Sequence, residues 1–168
     1  ILGLSGGIDS ALTLAIARDI FDKEDIEAVL LPSVFTSDLS IQLAKEQCEI
    51  LNINHSIISI KDVNDIVNKT LEKRFEGLIN DITEENIQAR IRGLLLMSIS
   101  NKTGKVLLTT GNKSELAVGY STLYGDMCGS FAPLKDLYKS EVYSLSKWRN
   151  KKSIVIPEAV IERMPTAE

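Results

Sequence analysis

Six residues near the start of the chain, Ser5-Gly6-Gly7-Ile8-Asp9-Ser10, restrict its fold more than any other stretch. They follow the apolar run Ile1-Leu2-Gly3-Leu4 and lead directly into the apolar-periodic segment Ala11 to Phe21, so the local reading is strand, glycine turn, helix. Two glycines let the backbone turn tightly and approach a ligand without interference from Cβ. The first amides of the helix present unpaired N–H groups and the positive end of its dipole at the same place. The group that suits such a loop is a phosphate. The loop is too short for the G-x-x-x-x-G-K-[ST] phosphate loop, and it lacks the third glycine of the dinucleotide fingerprint. In their place stand Ser5, Ser10 and the carboxylate of Asp9. A carboxylate beside phosphates repels them unless a cation lies between, which makes Asp9 a candidate ligand of Mg²⁺. The plainer alternative is an aspartate that only caps the helix.

Composition narrows the partners. The 168 residues, 44% hydrophobic and 25% charged, suit one domain with a sizeable core. A net charge of −4 from 19 basic and 23 acidic residues argues against nonspecific nucleic-acid binding or a membrane-surface role, and favours a small soluble substrate. Cys48 and Cys128 are too few for a disulfide framework and fit a reducing compartment, so a cytoplasmic location is expected. No apolar run approaches the roughly 20 residues of a membrane span. The chain opens at Ile1 inside a strand and stops at Glu168 just past a Pro-Thr pair, so a piece of a longer protein, residues 1–168, is expected.

Along the chain β and α patterns alternate, which predicts a parallel sheet covered by helices. Helices are expected from Ser10 to Phe21, Leu39 to Leu51, Asp62 to Phe75 and Thr83 to Lys102, the last ended by Gly104. Strands are expected over Ile1–Leu4, Glu27–Leu31, Ser56–Ile60 and Lys105–Thr110. Asp38 or Ser37 is placed to cap the second helix, and the Ser33 to Ser37 loop falls at a strand's carboxyl end, where open α/β sheets bind ligands. His55, the one histidine, stands at a strand entrance and reads as a surface residue. Arg90 lies about 60° around its helix from Ile87, at about 100° per residue, so it borders the apolar stripe and either snorkels or meets a partner.

The end of the fourth predicted strand carries a second cluster, Thr109-Thr110-Gly111-Asn112-Lys113-Ser114-Glu115, followed by Gly119-Tyr120 and Tyr124-Gly125-Asp126. In a parallel sheet this end shares an edge with the first loop, within reach of one Mg²⁺ held by Asp9 and Glu115. Taken alone, Gly-Asn is a turn pair, and Ser114-Glu115 opens a short helix. Further on, a helix is expected from Leu134 to about Arg149, with Val142, Leu145 and Trp148 on one face and Trp148 in the core. Lys139 falls in its first turn, where a cation opposes the dipole; it is either solvated there or holds an anionic ligand such as the phosphates of ATP. Pro157 begins a short helix, and Pro165-Thr166 follows, with a threonine that reaches a phosphate or caps a helix.

The SGGxDS loop resembles the signature of the ATP pyrophosphatases, which split ATP into AMP and pyrophosphate. Together with GLSGGIDSAL (Gly3 to Leu12), NIQARIRG (Asn86 to Gly93), TTGNKSELAVGYSTLYGDM (Thr109 to Met127), LYKSEVY, KWRN and PTAE, the chain is similar over nearly its whole length to the synthetase domain of the NAD synthetases. The resemblance implies a Rossmann-like, adenine nucleotide alpha hydrolase-like fold. It implies that Gly3, Leu4, Ser5, Gly6, Gly7, Ile8, Asp9 and Ser10 cradle the phosphates of ATP and that Thr110, Lys139 and Thr166 contact it. It also implies Asp9 and Glu115 on Mg²⁺, and Asn86, Arg90, Glu115 and Asp126 toward deamido-NAD, often across a homodimer interface. Some members carry a lysine and an aspartate where this chain has Leu123 and Ser130, a departure that resembles the glutamine-dependent subgroup. In that subgroup an N-terminal glutaminase domain supplies ammonia.

The activity this implies is ligation: ATP activates the nicotinate carboxylate of deamido-NAD as an adenylate, and ammonia, free or from glutamine, displaces AMP. Asp9, Glu115 and Lys139 are the expected catalytic residues, with Asp126 a candidate base for ammonia. The competing readings are another amidotransferase of the same superfamily, such as GMP synthetase, and a non-catalytic adenine-nucleotide sensor, which needs neither Asp9 nor Glu115.

Overall fold

In the computed structural model, which describes residues 1–164, the chain folds as a parallel sheet between helical layers. Strands β1 (Leu2–Gly3), β2 (Glu27–Leu30) and β3 (Asn54–Ile57) pair in that order, all parallel. Helix α1 (Ile8–Ile20) joins β1 to β2, and α2 (Asp38–Leu51) joins β2 to β3. Then follow α3 (Lys61–Leu71), α4 (Ile82–Thr103), α5 (Lys113–Val118), α6 (Lys139–Asn150) and α7 (Glu158–Glu162).

Side chains alternate across the sheet, and each face has its own core. On one face Leu2, Leu4, Ala28 and Leu30 pack with Leu12 and Ala15 of α1, Leu43 and Cys48 of α2, Val142 of α6 and Val160 of α7. On the other, Ile1, Val29 and Leu31 pack with Ile60 and with Ile87 and Ile91 of α4, while Val63 and Val67 of α3 are partly covered against them. Gly3 lets α4 come close, since a Cβ there would stand 3.1 Å from Leu96 Cδ1.

The free side of β1 is taken by the chain that follows α4. Leu108 bridges Leu2 in parallel and itself bridges Phe131, with Leu108 N–H donating to Ile1 O at 2.9 Å and Thr109 N–H to Phe131 O at 2.9 Å. The fourth strand expected over Lys105–Thr110 is therefore reduced to one bridging residue, Leu108, and is not a continuous strand. Its partner β1 is only two residues long before the backbone leaves the sheet for the glycine loop, so there is little edge to pair with. The consequence for function is topological. With β2 on one side of β1 and Leu108 on the other, strand order reverses at β1, and in open parallel sheets ligands bind at the carboxyl ends flanking such a reversal.

Other boundaries shift modestly. The third strand starts at Asn54 because Glu27 pairs with Asn54, although Ile58 and Ile60 continue to donate to Leu30 O and Pro32 O. His55 is exposed on this edge strand, as expected of a surface residue. Ser37 caps α2 by accepting from Ser40 N–H. Helix α4 ends at Gly104 (φ 72°) as expected, and it starts at Ile82, one residue before the expected Thr83, capped by Asp81 in a reciprocal box with Glu84. Helix α6 begins at Lys139, not Leu134. Trp148 is 54% exposed, under Lys152 Nζ at 4.7 Å, because α6 turns the stripe of Val142 and Ser146 inward and Trp148 lies off that stripe.

Candidate active site

The glycine loop is held by its own hydroxyls. Ser5 N–H donates to Ser10 Oγ (3.2 Å), Gly7 N–H donates to Ser5 Oγ (3.2 Å), and Ser10 Oγ donates to Gly7 O (3.1 Å). Gly6 has φ 84°, and a Cβ there would lie 2.3 Å from Ser40 O at the start of α2, so only glycine fits. Ala11 N–H, bonded to Gly7 O at 3.0 Å, is the first inside the helical ladder of α1. The amides of Ile8, Asp9 and Ser10 therefore stand outside it, at the positive end of the helix dipole.

Opposite this loop the second cluster closes around Asp9. Asn112, fully buried, caps α5: its Oδ1 accepts from Glu115 N–H (3.0 Å), and its own N–H donates to Glu115 Oε2 (3.1 Å). With Oδ1 committed to the cap, Asn112 Nδ2 donates to Asp9 Oδ1 at 2.8 Å. Lys139 Nζ bonds Asp9 Oδ2 and lies 3.9 Å from Glu115 Oε1, so one ammonium sits between two carboxylates. Two backbone contacts bring the start of α6 here: Lys139 N–H to Ser114 Oγ (3.0 Å) and Lys113 N–H to Leu137 O (2.8 Å). Burial pushes the Glu115 carboxyl above the usual carboxylate range, against the hydrogen bond from Asn112 N–H; Asp9 adds to the rise and Lys139 opposes it. The short helix expected in this stretch forms as α5, opening at Lys113 behind the Asn112 cap, and the cap lies beside Asp9.

A third group lies where α4 meets the loop after α5. Thr122 Oγ1 donates to Asn86 Oδ1 (2.7 Å), Thr122 N–H donates to Asp126 Oδ1 (2.6 Å), and Arg90 Nε donates to Leu123 O (3.2 Å). Gly93 and Gly125 permit this docking. A Cβ on Gly93 would lie 2.9 Å from Gly125 O and Tyr124 O, and one on Gly125 would lie 2.9 Å from Ala89 Cβ. Asn86, Arg90 and Asp126 thus share one surface, and the charge of Asp126 is felt at Glu115. Thr110 is half-buried just before the Asn112 cap. Thr166 lies outside the described residues.

Two residues escaped the sequence reading. Asn112 reads as half of a Gly-Asn turn, and only the fold shows that it donates to both carboxylates, from its side chain to Asp9 and from its backbone N–H to Glu115. Arg92, whose Nε donates to Leu31 O (3.0 Å), has its pKa lowered by burial. The signal for it is the spacing in Arg90-Ile91-Arg92: residues two apart on a helix do not share a face, so the two guanidiniums meet different surroundings. Among the described residues no three of His, Cys, Asp and Glu converge as a metal cluster, so a cation at Asp9 and Glu115 would complete its shell with phosphate oxygens and water, as Mg²⁺ commonly does. The oxygens left to it, Asp9 Oδ2 and Glu115 Oε1, are the two that face Lys139 Nζ, and their partners on each carboxylate are already engaged by Asn112.

A phosphate-suited loop, a switch-point cleft and paired carboxylates on a parallel sheet define an adenine nucleotide alpha hydrolase-like domain. Comparison with known proteins makes the assignment specific. The NAD synthase family model matches residues 1–168, and the chain belongs to that family. A glutamine-dependent NAD(+) synthetase of Xanthomonas campestris is 56% identical over 169 residues, covering 99% of this chain and 31% of that protein. The solved glutamine-dependent NAD+ synthetase of Acinetobacter baumannii, in complex with ADP, superposes with a TM-score of 0.95 at 52% identity, covering 99% of this chain and 32% of that one. An NMN synthetase from Francisella tularensis superposes at 0.86 with 30% identity, over 99% of this chain and 65% of its own. The chain spans about a third of the length of the curated relatives it matches.

Proposed function

We propose that this chain is the ATP-activating part of an NAD synthetase, a ligase that amidates deamido-NAD with release of AMP and pyrophosphate. The observation that carries the proposal is the convergence of Asp9, Glu115 and Lys139 at the carboxyl ends of β1 and the Leu108 segment, beside the glycine loop. A carboxylate does not accept ammonia, because its oxygen is a hopeless leaving group. Its oxygen must first attack the α-phosphorus of ATP, breaking the bond to pyrophosphate and forming an acyl adenylate. Ammonia then attacks the acyl carbon, the bond to AMP breaks, and one proton leaves the nitrogen.

In this reading Gly3 to Ser10 bind the phosphates, with the Ile8, Asp9 and Ser10 amides donating to them. The Lys139 ammonium, which lies between Asp9 and Glu115, stabilises the negative charge that develops on the departing pyrophosphate. Asp9 Oδ2 and Glu115 Oε1 would hold Mg²⁺, which supplies charge neutralisation on the phosphates when bound. Thr110 and Thr166 are assigned to ATP, and Asn86, Arg90, Glu115 and Asp126 to deamido-NAD. Asp126, exposed and joined by one oxygen to Thr122 N–H, keeps its other oxygen for ammonia.

The partners follow from the relatives. The glutamine-dependent relatives are about three times as long as this chain, which supports a glutaminase domain in the same protein as the source of ammonia. Arg90 is exposed although its Nε is held by Leu123 O, which suits a deamido-NAD site completed by a second copy in a homodimer. Both cysteines are free, in keeping with a reducing, cytoplasmic setting. No described helix is long and apolar enough to cross a membrane.

The test is pyrophosphate release by the protein that contains this chain, given ATP, Mg²⁺ and ammonium, with deamido-NAD, with nicotinate mononucleotide, or with neither. Release with deamido-NAD and formation of NAD is the expected result. Release only with the mononucleotide keeps the activation chemistry and overturns the substrate; no release with either acceptor overturns the proposal.

A further inference from the structure

We infer that Asn112 is a positioning residue for the Asp9–Glu115 pair, setting the direction of both carboxylates toward the nucleotide and its cation, and is more than the cap of α5. This rests on the functional reading above. Three hydrogen bonds from one residue carry the inference. Oδ1 is taken by Glu115 N–H at 3.0 Å, which fixes the amide's orientation and leaves Nδ2 as the donor to Asp9 Oδ1 at 2.8 Å; the backbone N–H holds Glu115 Oε2 at 3.1 Å. Each carboxylate is thereby pinned through one oxygen, and the second oxygen of each faces the same ammonium.

Chemistry explains why the residue is an amide. A pinning group for two carboxylates must donate to both, yet must not add charge that competes with a divalent ion for them. A lysine or arginine would neutralise the pair permanently, and an aspartate would repel it. Asparagine donates twice, once from its side chain and once from its backbone, and keeps its own oxygen for the helix. Being fully buried, it has no alternative partner in water, so its geometry is enforced.

The cap and the positioning role are separable, because serine caps helices about as well as asparagine but does not reach Asp9. The experiment compares wild type with Asn112→Ser by titrating ADP in EDTA and in saturating Mg²⁺. We expect Mg²⁺ to tighten ADP binding in the wild type, and this gain to shrink at least fivefold in the variant while affinity in EDTA changes less than twofold. A variant that keeps the full Mg²⁺ gain overturns the inference, as does a wild type that shows no gain. If the serine variant melts far below wild type, Asn112→Thr, which also caps and fills more of the space, is held to the same criterion. Binding of ADP needs no turnover, so a wild type that releases no pyrophosphate with deamido-NAD sinks the functional reading and leaves this result standing on its own.

Discussion

Arg149 grips Asp19 through two parallel hydrogen bonds, Nε to Oδ2 and Nη2 to Oδ1, each 2.7 Å long. Asp19 and Arg149 lie ten residues beyond Asp9 and Lys139 on the same two helices, and that pair is also joined. Ion pairs about 15 Å apart therefore tie α1 to α6 in one direction, and both amino-terminal ends arrive together at the site. The relative placement of Asp9 and Lys139 depends in part on a contact far from any substrate.

That remote clamp has a pH signature. The Arg149 hydrogen bond holds the Asp19 carboxyl below the usual carboxylate range. A lowered folded-state pKa contributes stability above the unfolded value of about 3.9, and the contribution is lost as pH falls through the folded value. Asp19 is partly exposed, so an effect of about 0.2–1 kcal/mol is expected. Asp19→Asn should lower Tm by about 1–4 °C at neutral pH, and the gap to wild type should close below about pH 4. Melting curves from pH 3 to 7 check this; a gap that widens in acid contradicts it.

Glu115→Gln tests the site itself. Glutamine at this position keeps the capping box with Asn112 and nearly the same volume. Because burial raises the Glu115 pKa, the ionised group costs stability at neutral pH, and the neutral amide removes that cost while giving up the Lys139 contact. Tm should stay within a few degrees of wild type. Turnover should fall by about 100-fold or more, the scale seen when a group aimed at developing charge is removed. A variant with wild-type kcat would dismiss Glu115 from the reaction.

Gly6 and Gly77 make a matched pair for the loop. Both have positive φ, 84° and 80°, but a Cβ on Gly6 would meet Ser40 O at 2.3 Å, whereas one on Gly77 would meet nothing within 4 Å. Gly77→Ala should cost only the left-handed backbone penalty, about 1–2 kcal/mol. Gly6→Ala should cost more, and should also weaken ATP binding, because the loop must leave α2 to accommodate the methyl group. Equal losses in the two variants, measured by urea titration, would show that the Ser40 contact is soft.

Much of this was readable from the chain. The strand-turn-helix of Ile1 to Phe21 and the parallel α/β class rest on periodicity and glycine placement, which are local properties. The approach of Glu115 to Asp9 followed from sheet topology alone. What could not be read depended on tertiary contacts that sequence spacing does not encode. The expected fourth strand reduces to one bridging residue, Leu108, because β1 is too short to pair with more of it. Trp148 looks like core by hydrophobicity, yet the buried stripe of α6 runs through Val142 and the hydroxyl of Ser146, which bonds back to Val142 O. Asn112 has the composition of a turn, and its role emerges only when residues 103 positions apart meet.

The two glycines at the α4 contact supply the last prediction, one that separates the two substrates. A methyl group on Gly93 would stand 2.9 Å from the backbone oxygens of Tyr124 and Gly125 and 3.2 Å from Cys128 Sγ, so the loop carrying Asp126 must move away from α4. Overpacking of this kind costs about 1–3 kcal/mol. The hydrogen bonds that join Thr122 to Asn86 and Arg90 to Leu123 cross the same seam and should break with it. The hydrogen bonds and ion pairs that hold the glycine loop, Asn112 and Lys139 run to other atoms. Gly93→Ala should therefore raise the KM for deamido-NAD by about tenfold or more, as loss of about 1.4 kcal/mol of binding implies, with little change in ADP affinity. If ADP affinity falls in step with the KM, the two regions form one mechanical unit, and the assignment of Asn86, Arg90 and Asp126 to the second substrate alone fails.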